Sequence, residues 1–497
     1  MIKKIHLIRT HITVGTGGPI PPLEILYVVS HIQERFPDKY EFKVTDTGIG
    51  DMAENDVRKE IENFDPDVVV FYALSWEAGL VHRLAALSKS WKAWVKVVVF
   101  GQLATFSSQY LCEDRHIDFV VVGEPELTVG ELIGVLGNQK GGFQNISGLV
   151  YKNDDRTVTT SPREYPENLD AFNIIPFAWD LIDVKEYARY SNWNGALKED
   201  FYIPILTSRG CPFKCTFCRE TYGKKFLARS PEHVVEEIKY LHTRFEAKEF
   251  HIYDAVFNYD NERAKKISRL IIEAGLNISL AFPHGVRADI MTEELLDLLK
   301  QAGTYKLVYG IESASSRLQK AFRKNLNIQQ VNEMIAKTSE RGIITGGYFM
   351  LGHLSESEEE INRTIDFAVN SELDVASFFK ATDYDDVNKI YESGFKESAD
   401  NRKIFEQIKD IAYYSVKRSQ AEVSPEDLNR MILKAQRRFY FKWSRIRRGF
   451  RKYPDKWKYA QNLMNALGLI IQAYILQSVT EGQTGKQEKE SFMAASG

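Results

Sequence analysis

Cysteine is scarce in this chain. Four occur in 497 residues, and three of them, Cys211, Cys215 and Cys218, fall within eight positions. A large secreted protein would spread its cysteines and pair them, so a disulfide framework is not expected. An excess of one charge is missing too. The 65 Lys and Arg nearly balance 68 Asp and Glu, for a net charge of −3, which sets up no global field for nucleic acid. No apolar run reaches the roughly eighteen residues that a membrane-spanning helix needs. The opening residues, MIKKIHLIRTHITVG, lack the apolar stretch of a signal peptide. Clustered thiols in such a chain point to metal in a reducing compartment, and the expected location is the cytoplasm. The length accommodates two or three domains, each with its own core.

What is present begins with a βα rhythm. IHLIR (5–9), YEFKV (40–44), DVVVFYAL (67–74), VKVVVFG (95–101) and IDFVVVG (117–123) read as strands. They are continuous and β-branched, as strands buried on both faces are. Leu23–Arg35, Asp56–Asn63 and Ala78–Ser88 read as helices between them. The pattern predicts a doubly wound, Rossmann-like α/β domain over residues 1–140, with ligands at the carboxyl ends of its strands. The loops there are rich in small residues and proline: Gly17 to Leu23, Ser75, Phe100 to Thr105, and Gly123-Glu124-Pro125-Glu126. Small residues let a bulky ligand approach the backbone; tight turns of an ordinary sheet would look the same.

Residues 141–200 read as a linker, a short β-hairpin followed by a proline-marked stretch. A second α/β region spans 201–385, with strands at 203–207, 249–253, 278–282, 305–310, 344–350 and 374–379. Six βα units predict a partial (β/α)6 barrel open on one side, since a full barrel needs more chain. Residues 386–480 read as a helical C-terminal domain, and the polar tail 481–497 as disordered. Within that domain lies a basic, aromatic stretch at 433–458, then the apolar LMNALGLIIQAYIL (463–476).

The cysteines form C-x-x-x-C-x-x-C in Arg209-Gly210-Cys211-Pro212-Phe213-Lys214-Cys215-Thr216-Phe217-Cys218, just past a strand. Three thiolates on one tight loop suit three irons of a cubane and leave the fourth iron open. An open iron can chelate the amino and carboxylate groups of S-adenosylmethionine and pass an electron to its sulfonium. Zinc would want four ligands. Cys112 lies in the other α/β region, and His233 and His242 fall on a helix without knuckle spacing. An ordinary electron-transfer cluster would normally use four cysteines.

GCPFKCTFC resembles the signature of the radical SAM superfamily, and other landmarks follow in order over residues 200–380. The resemblance implies a [4Fe-4S] cluster on Cys211, Cys215 and Cys218, with Phe217 flanking the adenine of S-adenosylmethionine. HIYDAVFNYD (251–260) resembles the second-strand motif and implies contact between Asp254 and the methionine end, although the usual paired acids read Asp254-Ala255 here. GVRAD (285–289) and GIES (310–313) resemble the third- and fourth-strand motifs, implying roles in binding the same molecule for Arg287 and Glu312. GGYFMLGHLSESEEE (346–360) matches the fifth-strand region. A salt-bridge network at the barrel mouth would use Asp254, Arg287 and Glu312 equally well.

The N-terminal region resembles the cobalamin-binding domain that precedes this core in one large branch. Pro22, Leu23, Ser75, Gly101, Ala104, Thr105, Gly123 and Glu124 are the positions this resemblance implies for cobalamin. Two departures stand out. Many cobalamin modules carry D-x-H-x-x-G with a cobalt-coordinating histidine, whereas Asp46-Thr47-Gly48-Ile49-Gly50-Asp51 has glycine in its place. Gly101-Gln102 replaces a usual glycine pair. The branch commonly lacks that histidine, so the resemblance implies cobalamin without it.

The implied chemistry is reductive cleavage of S-adenosylmethionine to a 5′-deoxyadenosyl radical, hydrogen abstraction from an unactivated carbon, and methylation of that carbon. The alternative within the family is a cyclase or rearrangement enzyme of secondary-metabolite, lipid or tetrapyrrole biosynthesis. A non-catalytic cobalamin or redox-sensing iron–sulfur protein is the alternative of another class. Expected partners are a small-molecule substrate, lipid-like in one version, and an electron donor such as flavodoxin or ferredoxin. The C-terminal stretch holds eleven Lys and Arg between 434 and 458. It fits a solvated helix with aromatics packed on the barrel, peripheral contact with an anionic membrane, or, last in order, RNA.

Overall fold

In the computed structural model the valine-rich runs build the first sheet. β1 (Lys4–Arg9), β2 (Glu41–Asp46), β3 (Val68–Tyr72), β4 (Lys96–Phe100) and β5 (Phe119–Val121) are parallel, in the order β2-β1-β3-β4-β5. Six helices surround them: α1 (Leu23–Arg35), α2 (Glu54–Phe64), α3 (Ala78–Trp91), α4 (Gln102–Phe106), α5 (Ser108–Glu113) and α6 (Pro125–Leu136). Alternate residues of β3 serve opposite layers. Val68 and Val70 pack with Ile25 and Val28 of α1 and Ile133 of α6, while Val69 and Phe71 pack with Ile61 of α2 and Leu84 of α3. Burial on both faces explains why the strands show no polar alternation. The order turns between β1 and β3, a switch point that opens a crevice at the carboxyl ends.

The hairpin expected in the linker extends this sheet. β6 (Leu149–Asn153) pairs antiparallel with β5, and β7 (Arg156–Thr159) with β6. The edge of β5 offers unpaired backbone groups that a following hairpin satisfies, so the first sheet has seven strands and runs past the boundary set at 140. The stretch beyond the hairpin is no bare linker either. Leu169, Phe172, Trp179 and Val184, the last on α7 (Val184–Ala188), lie in one core cluster with Leu23 and Tyr27 of α1 and the barrel. That wedge joins the two halves.

The second sheet begins with β8 (Ile203–Ile205). An antiparallel clip of β9 (Ser208–Arg209) and β10 (Leu227–Ala228) comes next, then β11 (Glu249–Ile252), β12 (Ser279–Val286), β13 (Thr304–Glu312), β14 (Ile344–Leu351) and β15 (Val375–Lys380). β8 and β11 to β15 form six parallel strands in sequence order; among the described residues β8 and β15 do not pair, so the barrel is open. The helices are α8 (Pro231–Phe245), α9 (Asn261–Glu273), α10 (Glu293–Gln301), α11 (Ser316–Ala321), α12 (Ile328–Glu340) and α13 (Glu358–Asn370). Ser230, Asp260, Thr292, Ser315, Asn327 and Ser357 start them, each side chain accepting an N–H of the first turn.

α14 (Pro425–Tyr440) and α15 (Trp443–Lys452) close the described part. α15 turns its basic face inward. Arg445 donates to the carbonyls of Leu373 (2.7 Å), Val369 (3.1 Å) and Ser371 (3.2 Å). Arg448 donates to Asp374 (2.6 Å), and Lys452 to Asp374 (2.8 Å) and the Ile343 carbonyl (3.0 Å). These carbonyls include the last ones of α13, which have no partner inside their own helix. Of the aromatics, Phe439 and Tyr453 are buried, whereas Trp443 (77% exposed) and Phe450 (41%) face out.

The structure describes residues 2–11, 18–138, 141–154, 156–172, 178–190, 197–218, 221–381 and 421–453, with short pieces up to 468. Most of the apolar segment 463–476, all of the tail 481–497 and the domain boundary near 386 lie outside them. Among the described residues no helix is long and apolar enough to cross a membrane.

Asp374 faces Arg448 and Lys452 and also accepts the Thr345 N–H (2.9 Å), with its side chain 1% exposed. Removing it takes the buried carboxylate from Lys452 and leaves Arg448 only the more exposed Glu372. Asp374→Ala is expected to cost about 3–5 kcal/mol in chemical denaturation, whereas Arg363→Ala, which breaks the exposed pair with Glu359, should change stability by less than about 1 kcal/mol.

Candidate active site between the two sheets

The thiol loop starts where β9 ends. Gly210 has φ +70°, and a Cβ there would stand 2.0 Å from the Lys225 carbonyl oxygen, so glycine is required. The Cys211 N–H donates to the Gly223 carbonyl (3.1 Å), Cys218 N–H to Cys215 (3.3 Å) and Thr216 N–H to Phe322 (3.0 Å). The loop is thereby closed at its base and tied to the segment after α11. Cys211, Cys215 and Cys218 are all half-buried, and Cys112 is buried in the first domain, away from them. Among the described residues no three His, Cys, Asp or Glu side chains, these cysteines included, already converge on one point. Three soft thiols spaced along one ordered loop fit a [4Fe-4S] cluster, where each takes a different iron.

Arg287, Glu312 and Phe217 come together beside this loop. Arg287 follows β12, stacks its guanidinium 3.7 Å from the Phe213 ring, and makes a bidentate pair with Asp289 (2.9 and 2.8 Å). It also donates to the Lys324 carbonyl (2.9 Å). Lys324 in turn donates to Glu312 (2.7 Å) and holds its ammonium 5.9 Å from the Phe217 ring. Glu312 ends β13 with φ +67°, a strained backbone that functional sites tend to keep. Phe217 packs edge-on against Phe322 (5.6 Å), whose other neighbour is His353 (4.1 Å). Asn258 accepts the Arg287 N–H (3.1 Å) and donates to the Arg287 carbonyl (2.8 Å), fixing that turn. Lys324 lies outside every motif read from the sequence; Asn258 and His353 lie within the stretches 251–260 and 346–360 but were not singled out there.

Asp254 lies apart from that group. Its buried carboxylate accepts the Thr207 N–H (2.6 Å) and the hydroxyls of Thr207 and Ser208. Burial pushes its pKa up against the pull of Arg263 and these donors. It holds the turn that leads into Arg209.

Arg209 joins the two sheets. Its guanidinium, 2% exposed, donates to Glu124 (2.7 Å) and Glu126 (2.6 Å), and rests 4.6 Å from the Tyr27 and Tyr222 rings. Burial would lower its pKa; Glu126 first, then Tyr222 and Glu124, more than reverse this. Glu124, expected at the cobalamin site, is therefore bound to the residue that opens the thiol loop. Gly123 donates its N–H to Thr105 Oγ1 (3.2 Å), and Thr105 Oγ1 to the Gly101 carbonyl (2.9 Å). Ser75 donates to Gln102 (3.2 Å). These four line the carboxyl ends of β3, β4 and β5, and a Cβ on Gly123 would meet nothing within 4 Å. That open cradle fits a flat, bulky cofactor. Pro22, Leu23 and Ala104 are buried, Leu23 in the core shared with the barrel.

Inside the barrel, Tyr253 stacks on His284 (4.1 Å) and Tyr202 on His251 (3.8 Å). Tyr348 and Phe379 stand across from one another at 5.7 Å. His284 is solvent-accessible yet ringed by the lumen wall; this enclosure, then His251, holds it down to about 4. The lumen thus offers an aromatic wall with a neutral imidazole.

Arg209→Met would leave two enclosed carboxylates without a cation, a loss of about 3–5 kcal/mol. The expected result is a lower melting temperature together with less than half the wild-type iron content after anaerobic reconstitution; Glu124→Gln and Glu126→Gln added to it should recover part of both.

Comparison with known proteins agrees with this geometry. The B12 binding domain model matches residues 9–133, and the Radical SAM superfamily model matches 205–368. An uncharacterised methyltransferase of Pyrococcus horikoshii is 32% identical over 374 residues, covering 75% of this chain and 77% of its own length. The anaerobic magnesium-protoporphyrin IX monomethyl ester cyclase of Rubrivivax gelatinosus is 25% identical over 455 residues, 90% of this chain and 79% of its own. The solved radical S-adenosylmethionine methyltransferase TsrM of Kitasatospora setae, with cobalamin and a [4Fe-4S] cluster bound, shares the fold at a TM-score of 0.62 and 18% identity, over 76% of this chain and 75% of its own. With the thiol loop, the barrel and the clamped first sheet all matched, the chain belongs to the radical SAM superfamily, in the group that carries a B12-binding domain ahead of the radical SAM domain.

Proposed function

We propose that this enzyme methylates a poorly activated carbon of a small-molecule substrate held in the barrel lumen. The observation that carries the reading is the Arg209–Glu124 pair, which ties the ligand end of the first sheet to the start of the thiol loop, so that two cofactors face one cavity. Bound there, the cluster with S-adenosylmethionine supplies radical cleavage and cobalamin supplies methyl transfer; the protein positions them and excludes water. In this reading Cys211, Cys215 and Cys218 hold the cluster, and Phe217 flanks the adenine. Arg287, Glu312 and Lys324 orient the charged groups of S-adenosylmethionine, exchanging their present partners for it. Asp254 keeps the Thr207–Arg209 turn in place. Ser75, Gly101, Thr105 and Gly123 line the cobalamin cradle, and the buried Pro22, Leu23, Ala104 and Glu124 back it. Tyr253, His284, Tyr348 and Phe379 wall the substrate. An external one-electron donor, flavodoxin or ferredoxin, reduces the cluster. Ring formation is the second reading, favoured by the likeness to the Rubrivivax gelatinosus cyclase.

Anaerobic incubation of the reconstituted enzyme with S-adenosylmethionine and dithionite should yield 5′-deoxyadenosine by mass spectrometry, and Cys215→Ala should reduce it at least a hundredfold. With methyl-labelled S-adenosylmethionine and a bound substrate, label in the product supports methylation; unlabelled, cyclised product would replace it with the second reading.

We also propose peripheral contact with an anionic membrane through the outer face of α14 and α15. Phe441, Trp443, Phe450 and Trp457 are all more than 40% exposed, and Arg437, Arg447, Arg451 and Lys456 are exposed beside them. Asp455 is the single acid between 434 and 458. Aromatic rings at the headgroup level with cations around them suit such a surface. The protein is expected to float with phosphatidylglycerol-containing vesicles, and Trp443→Ala/Trp457→Ala to weaken this at least tenfold while Trp94→Ala does not. Equal flotation of the double variant would sink the idea.

A further inference from the structure

The rim of the thiol loop is basic. Three described stretches frame it: 210–218 carries the thiols, 221–228 follows, and 316–328 covers α11 and the turn after it. Together they hold seven Lys or Arg and no Asp or Glu, in a chain whose charges otherwise balance. Backbone hydrogen bonds draw the three into one rim. The Cys211 N–H donates to the Gly223 carbonyl (3.1 Å), just before Lys224 and Lys225. The Thr216 N–H donates to the Phe322 carbonyl (3.0 Å), between Lys320 and Arg323 in the chain.

Two of the seven cations are engaged, Lys324 with Glu312 and Arg317 with Glu360. The other five, Lys214, Lys224, Lys225, Lys320 and Arg323, are exposed and have no ion-pair partner among the described residues. Tyr259, 45% exposed, stands beside the loop, its ring 5.9 Å from Phe213 and 4.9 Å from Phe226. Two acids approach this side. Asp289 is taken up by Arg287 (2.9 and 2.8 Å), and Asp260 caps α9 by accepting the Arg263 N–H (3.0 Å).

Five like charges gathered at one place repel one another and add nothing to the fold. They do suit an acidic partner, because opposite charges steer encounter and set orientation. An exposed aromatic within a charged rim is also the make-up of a small, transient interface. Electron transfer weakens steeply with distance, so a donor to the cluster has to sit over the loop that holds it.

We infer that Lys214, Lys224, Lys225, Lys320 and Arg323 form the docking surface of the electron donor, and that this donor is a small acidic one-electron carrier. One electron leaves the reduced carrier and is gained by the cluster; no bond to this chain forms or breaks. The inference rests on the cluster reading of the three thiols.

The test compares reductants on the reconstituted full-length enzyme, reading 5′-deoxyadenosine formed anaerobically. With a photoreduced acidic flavodoxin, the wild-type rate is expected to fall about tenfold as salt rises from ~50 to ~300 mM. At the lower salt, Lys224→Glu/Lys320→Glu/Arg323→Glu should reduce it about tenfold. With dithionite the same variant should stay within about twofold of the wild type, since exposed charges are screened from the cluster. Lys59→Glu/Lys239→Glu, exposed on α2 and α8, should match the wild type with both. A reduced acidic ferredoxin run in parallel tells a flavin carrier from an iron–sulfur one.

Carrier-driven turnover that ignores both salt and the reversals would overturn the assignment. An equal loss with dithionite would overturn it too, by placing the cations' effect on the cluster itself. So would a wild type that turns over with dithionite but accepts neither carrier, or reversals that spare carrier-driven turnover and instead abolish flotation with phosphatidylglycerol vesicles. No 5′-deoxyadenosine with any reductant, from wild-type enzyme of full iron content, would remove the reading on which the inference rests.

Discussion

Arg209 carries its charge where water does not reach, and it can do so only because Glu124 and Glu126 from the other domain are waiting there. A cation and two carboxylates enclosed together are tolerable as a set; any one of them left alone in the same place is not. The set therefore fixes where the first sheet meets the barrel. It also fixes the exit of β9, since Gly210 must turn at once with φ +70° under the Lys225 carbonyl, and so the position from which all three thiols depart. Tyr27 and Tyr222 rest on the guanidinium, and the wedge around Trp179 fills the space behind it. Chemistry that needs two cofactors at one cavity depends on such a joint.

A second constraint works at the far edge of the barrel. The turn from α13 to β15 exposes carbonyls that would otherwise face solvent or nothing, and Arg445 and Arg448 of α15 meet them. A helix that buries its arginines has to show its aromatics, which is the reverse of the usual surface helix. The exposed Trp443 and Phe450 result from that inversion, and the contact surface proposed for them is a consequence of how the barrel is sealed.

Much of the fold was legible because its signals are local. Continuous runs such as Val68–Tyr72 announce buried parallel strands. The hairpin at 149–159 was legible as a hairpin, but not as the extension of a sheet, because that depends on β5 having a bare edge. At the site, the spacing of the cysteines and the landmarks at Arg287 and Glu312 stood out. Lys324, which pairs with Glu312, did not: a lysine in an amphipathic stretch looks like any other until a carboxylate is found 2.7 Å away. Asp254 stood out for a motif, yet its carboxylate is occupied by Thr207 and Ser208.

The sequence by itself determined the order of strands and helices, the three-thiol loop and the family to which they belong, because each rests on residues within a few positions of one another. Only the tertiary structure decided which distant groups share a space. Glu124 and Arg209 are 85 positions apart, and the ring of His11 fills the room that Gly48 leaves in the turn after β2. Nothing in a linear pattern encodes such meetings. They come from the packing of one sheet against another, where an enclosed charge or ring nitrogen must find its partner or go without.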